Sequence, residues 1–541
     1  MLSADSVYSQ SYSEFHWSIP EHYNIAHDTC DKWADGSGRL ALIQQLPDGQ
    51  IKRYTFDQLK AWSDSLAAAW QAQGIQAGDR IAIFLAQGLE TALAHLATYK
   101  IGAIAMPLFT LFGTDALRYR LNDSGASTLI TDQQGLETVL PLREHLPQLK
   151  HLYQSDSQQD QGDALSLWQA IAAHPEPAPR TLNTRADDPA VLIYTSGTTG
   201  SAKGALHAHR VLLGHLPGVE MSHNFLPTGE GLMWTPADWA WIGGLLDVLL
   251  PAWHHGIPVL AYRFPKFDAE ATWKLMSEHG VTHTFLPPTA LKMLRRSQWS
   301  REQWPLKLQS IASGGESLGA QLLDWAKQEL GITINEFYGQ TECNMIVSSC
   351  SAWFPGQAGK IGKAVPGHKV AIVDDQGQIQ KPGIEGHIAV QSPDPVMFLG
   401  YWQRPEATRE KFVGDWLLTG DKGMQDEDGY IQFVGRDDDV ITSSGYRIGP
   451  GPIEDGLMGH PAVAMAAVIG VPDPERTEVV KAFVVLKEDI EPSQELVKEI
   501  QEHIKRRVAA HEYPRLIEFV DALPMTTTGK VIRHALRKLS Q

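Results

Sequence analysis

Residues 194–205 (YTSGTTGSAKGA) concentrate glycines, hydroxyls and one lysine directly after the apolar run 190–194 (AVLIY). The composition suits an anion. Gly197 and Gly200 let the backbone approach phosphate with no side chain in the way, and Thr195, Ser196, Thr198 and Thr199 offer donors. Lys203 adds the positive charge. A Walker A loop is excluded by spacing: counting from Gly197, Ala202 precedes Lys203 and Gly204 follows it, where G-x-x-x-x-G-K-[ST] is required. The competing reading is a plain surface loop, but such loops seldom join this many hydroxyls to glycines and a lysine after a buried strand.

Further along stand 313–316 (SGGE), 338–342 (YGQTE), 419–421 (TGD), 435–439 (GRDDD), 444–448 (SGYRI) and 524–533 (PMTTTGKVIR). Singly, SGGE reads as an ordinary turn and the 437–439 acid run as a solvated face. Together and in this order the segments resemble the motifs of the adenylate-forming superfamily, which includes acyl-CoA synthetases, firefly luciferase and peptide-synthetase adenylation domains. The resemblance covers nearly the whole chain, and it points to an AMP-forming acyl-CoA synthetase of the short- or medium-chain type.

That resemblance implies roles residue by residue. Residues 194–205 become the phosphate loop, with Thr195 and Lys203 among the catalytic residues. Gly314, Gly315 and Glu316 leave room for a flat adenine. Glu336, Phe337, Tyr338, Gly339, Gln340 and Thr341 line the nucleotide, Tyr338 stacking near adenine and Thr341 touching the α-phosphate. Glu342 holds magnesium, a hard ion that suits one carboxylate with waters and substrate phosphates as its other ligands. Asp421 takes the ribose hydroxyls, an acceptor's task. Arg436 contacts ribose and phosphate, and Asp438 falls at the domain hinge. Gly445, Tyr446 and Arg447 belong to the loop lining the pantetheine tunnel of coenzyme A, and Lys530 is the catalytic lysine. Met525 departs from the family, which usually has lysine there.

For the acyl group, acetate-restricted synthetases carry tryptophan where this chain has Gly339. The resemblance therefore implies an opened pocket wall, faced by Trp241, Ile242, Gly243 and Gly244, with Trp239 as a further ring able to pack on branched or aromatic acids. His207 lies close to this place but is left out of the catalytic set.

These residues need a scaffold, and the sequence describes one. At 541 residues the chain exceeds the roughly 250 to 300 at which one core stops growing, so at least two domains are expected. Short apolar runs at 80–85, 103–107 and 127–131 read as buried strands, and 89–100 between them reads as a helix. The alternation predicts an α/β class: a large N-terminal domain (1–436) of mixed and parallel sheets covered by helices with a distorted barrel, then a small mobile α+β domain (437–541). In the latter, 464–471 and 479–486 read as strands and 494–508 as a helix with Leu496, Ile500, Ile504 and Val508 on one face. The tract 154–163 and the Pro-rich 174–180 read as a surface connection inside the large domain.

Composition narrows the function. A net charge of -17 argues against a nucleic-acid partner, so anionic substrates must meet a local positive site. Cys30, Cys343 and Cys350 lack metal spacing and form no disulfide framework, which suits a reducing cytosol. The most apolar stretch, 239–253, is interrupted by Asp247 and Pro251 and falls short of the ~20 residues that span a bilayer. The N-terminal residues show neither a basic region nor an apolar core of a signal peptide.

The expected chemistry follows. A carboxylate attacking the α-phosphorus of ATP faces charge repulsion, so positioning and cations carry the step; Lys203, Lys530, Arg436, Arg447 and Mg2+ are the candidates. Coenzyme A then takes the acyl group as co-substrate, and the C-terminal domain must move between the steps. Rival readings are an enzyme loading a carrier protein, one activating an aryl acid, a luciferase-like oxygenase, and a non-catalytic AMP or acyl-adenylate binder. Oligomeric state is left open, a homo-oligomer included.

Overall fold

In the computed structural model the described residues are 1–541 apart from 176–180, 196–201, 228, 265, 298, 316, 317, 319, 358, 437–440, 489, 525–530, 532 and 541. Two large sheets form the N-terminal part. The first is eight-stranded, and its middle is parallel: Arg80–Phe84 lies between Ile104–Pro107 and Thr128–Thr131, as the apolar runs predict. These strands are largely apolar because helices cover them, Leu89–Lys100 among them, of which every residue but Glu90 is buried. Pro189–Thr195 enters beside Ile104–Pro107 and turns back antiparallel as Lys203–Ala208.

The second sheet has nine strands, of which Met233–Trp234, His283–Phe285, Ser310–Gly314 and Ile334–Gln340 run parallel. Cys343–Ser348 returns antiparallel against Ile334–Gln340 with a register shift between Tyr338 and Gln340. One continuous core joins the two sheets, running from Ile25 through Leu93, Trp239 and Trp253 to Phe337. A smaller antiparallel sheet (Val370–Val373, Gly386–Gln391, Trp416–Gln425, Phe412–Val413, with Ile431–Arg436 on Trp416–Gln425) stands where the barrel was expected.

Beyond it lies a separate C-terminal domain. Its sheet pairs Val463–Asp473 with Thr477–Leu486, adds Ile441–Ser443 and Tyr446–Ile448 on one side, and takes Leu516–Phe519 in parallel. The helix Gln494–Arg507 starts on a Ser493 cap, whose hydroxyl accepts from the Leu496 N–H, and buries Ile500 and Ile504 as its periodicity predicts. Among the described residues no helix is long and apolar enough to cross a membrane.

Candidate active site

The phosphate-loop motif occupies the open end of a hairpin. Thr195 pairs with Lys203 and Tyr194 with Gly204, so the strands present their ends to residues 196–201; Ser196, Gly197, Thr198, Thr199 and Gly200 themselves lie outside the described residues. The hairpin is stitched to a third segment. Gly400–Tyr401 pairs with it at Leu206 and Ala205, and the Trp402 N–H donates to the Gly204 carbonyl at 2.7 Å. Lys203 Nζ thereby stands 5.2 Å from the centre of the Tyr401 ring, within cation–π range. The Tyr401 hydroxyl in turn donates to Glu342 Oε1, whose carboxylate is almost wholly buried. One tyrosine therefore connects the phosphate-loop lysine with the carboxylate expected to hold magnesium.

The nucleotide side continues along the parallel pair of strands. Ser313 pairs with Glu336 and Gly314 with Phe337; a Cβ at Gly314 would meet the Phe337 ring at 2.7 Å, and Gly315 takes a positive φ of 91°. The Tyr338 hydroxyl donates to Asp421 Oδ2 at 2.6 Å. Burial, then the neighbouring Asp421 charge, drives the Tyr338 phenol well above its usual pKa, so it stays a donor. Gln340 Nε2 donates to the Thr419 carbonyl at 2.7 Å, tying the YGQTE strand to the TGD strand. Asp421 faces Arg436 across the sheet, so two residues expected at ribose share one register position, although the Arg436 side chain lies outside the described residues. Glu336 is buried and pushed up to about 8 by desolvation; its carboxylate accepts the Leu318 N–H at 3.3 Å. That makes it a structural acid under the nucleotide strand.

On the acyl side, Trp241 is half-buried in a cluster of rings: Phe109 at 5.5 Å, Tyr446 at 6.0 Å, and Phe112 and His511 at 6.2 Å. Tyr446 and His511 belong to the C-terminal domain. Ile242–Gly244 opens a helical segment that continues as a π-turn over Leu245–Leu249, a local widening often met at functional sites. A Cβ on Gly243 would lie 2.9 Å from the edge of Phe285, which packs on Phe337 at 5.3 Å. Asp247 is buried, and Asn344 Nδ2 donates to its two oxygens at 2.7 and 2.9 Å. Desolvation raises the Asp247 carboxyl well above the carboxylate range.

Packing sets the surroundings of Gly339, Gly244 and Trp239. Gly339 does not simply leave a pocket wall open, because a Cβ there would stand 2.4 Å from the Met345 backbone nitrogen and 2.7 Å from Asn344 Cα. Glycine is required by the returning strand of its own hairpin. Gly244 is likewise held by the Asp238 carbonyl, 2.2 Å from an added Cβ. Trp239 is buried in the main core and packs there, whereas Trp241 is only half-buried.

The loop 444–448 is a tight hairpin. Ser444 and Gly445 both take positive φ, 53° and 81°, the conformation of a two-residue turn that matches strand twist. The Gly445 carbonyl oxygen reaches 3.9 Å from where a Gly315 Cβ would stand, so the hairpin tip abuts the expected adenine site. The Arg447 side chain, Glu316, Asp438 and Lys530 lie outside the described residues.

A hairpin opening on a Gly- and hydroxyl-rich segment, beside a strand edge bearing carboxylates and covered by a second domain, is the pattern of a nucleotide-dependent ligase. The chain belongs to the AMP-binding enzyme family, whose description matches residues 30–402, and residues 452–530 match the AMP-binding enzyme C-terminal domain. It is similar to the acyl-coenzyme A synthetase ACSM2, mitochondrial, of Rattus norvegicus, at 35% identity over 96% of this chain and 92% of that protein. The acetyl-coenzyme A synthetase of Bacillus subtilis (strain 168) is 31% identical over 98% of this chain and 94% of its own length. The crystal structure of an acyl-CoA synthetase from Brucella canis superposes with a TM-score of 0.73 at 31% identity, covering 98% of each chain. The protein is an AMP-forming acyl-CoA synthetase, converting a carboxylic acid, ATP and coenzyme A to acyl-CoA through an acyl-adenylate.

Sequence reasoning missed Tyr401, Phe109, His511 and the Asp247–Asn344 pair. The GYW run at 400–402 was a signal for the first, since an aromatic with a hydroxyl between glycine and tryptophan has something to pack on and something to donate to. Phe109 and His511 carried none: they meet only across the domain interface, at 4.8 Å.

Proposed function

We propose that the acid is short- or medium-chain and that both half-reactions share one site because the C-terminal domain moves between them. The observation that carries this reading is the docked hairpin, with Gly445 beside Gly315 and Tyr446 packed toward Trp241. This arrangement suits thiol transfer: the glycine tip leaves a narrow way in for a pantetheine arm, next to the acyl pocket. For adenylation the domain swings about Asp438, at the boundary between 436 and 437, and brings Lys530 to the same place.

In the first step a carboxylate oxygen attacks the α-phosphorus and pyrophosphate leaves. Lys203, Lys530, Arg436 and Arg447 supply positive charge around the reacting phosphate, and Asp421 holds the ribose hydroxyls. Glu342 fits magnesium, offering one hard oxygen while Tyr401 fixes its other. Among the described residues no group of three His, Cys, Asp or Glu could hold a metal by itself, which suits an ion that arrives on nucleotide phosphates. When bound, it neutralises charge on those phosphates. In the second step the coenzyme A thiolate attacks the acyl carbonyl and AMP leaves; the apolar rings around Trp241 exclude water from that adenylate. Cys30, Cys343 and Cys350 are buried, free and unused, in keeping with a reducing cytoplasm.

The test is AMP and acyl-CoA formation with magnesium-ATP across straight-chain acids from acetate upward, plus isobutyrate, benzoate and phenylacetate. Each methylene contributes about 0.8 kcal/mol on burial, so kcat/KM should rise several-fold per carbon to an optimum beyond acetate. Acetate as the best substrate would sink the chain-length assignment. AMP release that needs a carrier protein in place of coenzyme A would redirect the second step.

A further inference from the structure

Gly113 stands at the start of the helix Thr114–Ser124 with φ -77° and ψ 176°, an extended conformation open to any residue. Nothing in its backbone calls for glycine. The three atoms nearest to an added Cβ belong to the other domain: the Arg506 carbonyl oxygen at 2.2 Å, and the carbonyl carbons of Arg506 and Arg507 at 2.8 Å. Around it the two domains form a short antiparallel ladder. The Gly113 N–H donates to the Val508 carbonyl at 2.8 Å, the Ala510 N–H donates to the Leu111 carbonyl at 3.2 Å, and Phe112 bridges Ala509.

Side chains reinforce the ladder. Arg507 Nε bonds Asp115 Oδ2 at 2.7 Å. The buried Arg120 guanidinium lies 4.0 Å from the Phe112 ring centre and attracts the buried Glu512 carboxylate. Immediately after the ladder, His511 packs at 4.4 Å on Tyr446, the residue that follows the hairpin tip at Gly445. The ladder therefore fixes the segment on which the hairpin rests.

We propose that residues 111–113 and 508–510 form a docking latch for the thiol-transfer arrangement, with Gly113 as its positioning residue. The inference rests on the two-arrangement reading above. Because the nearest clashes at Gly113 are with the C-terminal domain, a side chain there penalises the docked arrangement more than the adenylation arrangement. Gly113 itself touches no substrate; it acts through Tyr446 and the hairpin.

The experiment separates the half-reactions in the full-length enzyme. Acid-dependent ATP–pyrophosphate exchange reads adenylation, and conversion of supplied acyl-adenylate by coenzyme A reads transfer. Gly113→Val is expected to keep exchange within about twofold and to lose transfer at least tenfold, as a population shift of the docked state requires. Arg507→Asp, at a half-exposed site where folding is not at stake, should show the same split more weakly, and adding Asp115→Arg should restore transfer. Equal loss of both half-reactions in these variants, or no loss in either, overturns the latch. If the parent enzyme itself fails to convert acyl-adenylate with coenzyme A, the two-step reading falls instead, and the two failures are distinct.

Discussion

The proposed nucleotide side and the proposed acyl side of this site are held by different forces. On the nucleotide side, hydroxyls and carboxylates lock in pairs: Tyr338 on Asp421, Tyr401 on Glu342, Gln340 on the Thr419 carbonyl. On the acyl side, rings lean on rings between two domains, with Trp241, Phe109, Tyr446 and His511 within about 6 Å of one another. Directional bonds need particular atoms at particular places, which suits a nucleotide common to every substrate. Ring contacts constrain shape and can part and re-form, which suits the proposed acyl wall and the proposed domain movement.

The sharpest way to break that contrast is Lys530→Ala. Removing the proposed catalytic cation should cost adenylation about 100-fold or more, while supplied acyl-adenylate still reacts with coenzyme A. Stopped-flow measurement of both steps decides it, and equal loss in the two would show that the division of labour between arrangements is wrong.

Next in size is Tyr401→Phe. The ring under Lys203 survives, but the hydroxyl on Glu342 is gone; a hydrogen bond to a charged group contributes about 1.5–3 kcal/mol, so kcat/KM for ATP should fall roughly 10- to 100-fold. Magnesium titration, followed by binding of Mn2+ in its place, should show weakened affinity for the ion in the ternary complex. Unaltered metal affinity would reduce Tyr401 to packing.

A smaller and more selective change is Gly243→Ala. The added methyl would stand 2.9 Å from Phe285, whose ring must yield toward Phe337. Losing room for about one methylene should lower kcat/KM for the longest accepted acid about fourfold and spare acetate. A uniform fall across chain lengths would place Gly243 outside the acyl pocket.

This contrast also governs what the sequence could tell. Strand and helix positions were legible where burial on both faces makes continuous apolar runs, as at Arg80–Phe84 and Leu89–Lys100, and where one face alone is apolar, as at Gln494–Arg507. On the nucleotide side the residue types are their own signal, and the structure sets Tyr338 on Asp421. On the acyl side the same logic misled: Gly339 suggests empty space, yet Met345 and Asn344 fill it with backbone, a contact made by a register shift that no residue type announces. Gly339→Trp would therefore disturb the hairpin before it narrowed any pocket. Phe109 and His511 lie some four hundred positions apart in the chain, and only domain docking brings them together.

The smallest effect on turnover is expected from Glu336→Gln, and it sharpens the contrast from the polar side. Burial pushes this carboxyl up to about 8 from an ordinary 4.5, so near neutrality the folded protein holds a proton that the unfolded chain has released. Unfolding then gives up a proton, and stability must fall as pH rises between about 4.5 and 8, by at most about 1.4 kcal/mol per pH unit from this group. Glutamine mimics the protonated acid in shape and can still accept the Leu318 N–H, so the variant should lose that slope while keeping activity at neutral pH near the parent's. Urea midpoints of the ligand-free enzyme at pH 5.5 and 8 measure it. A parent and variant with the same pH dependence would mean that Glu336 is ionised in the folded enzyme, and that the strand beneath the nucleotide carries a charge the rest of this edge would have to answer.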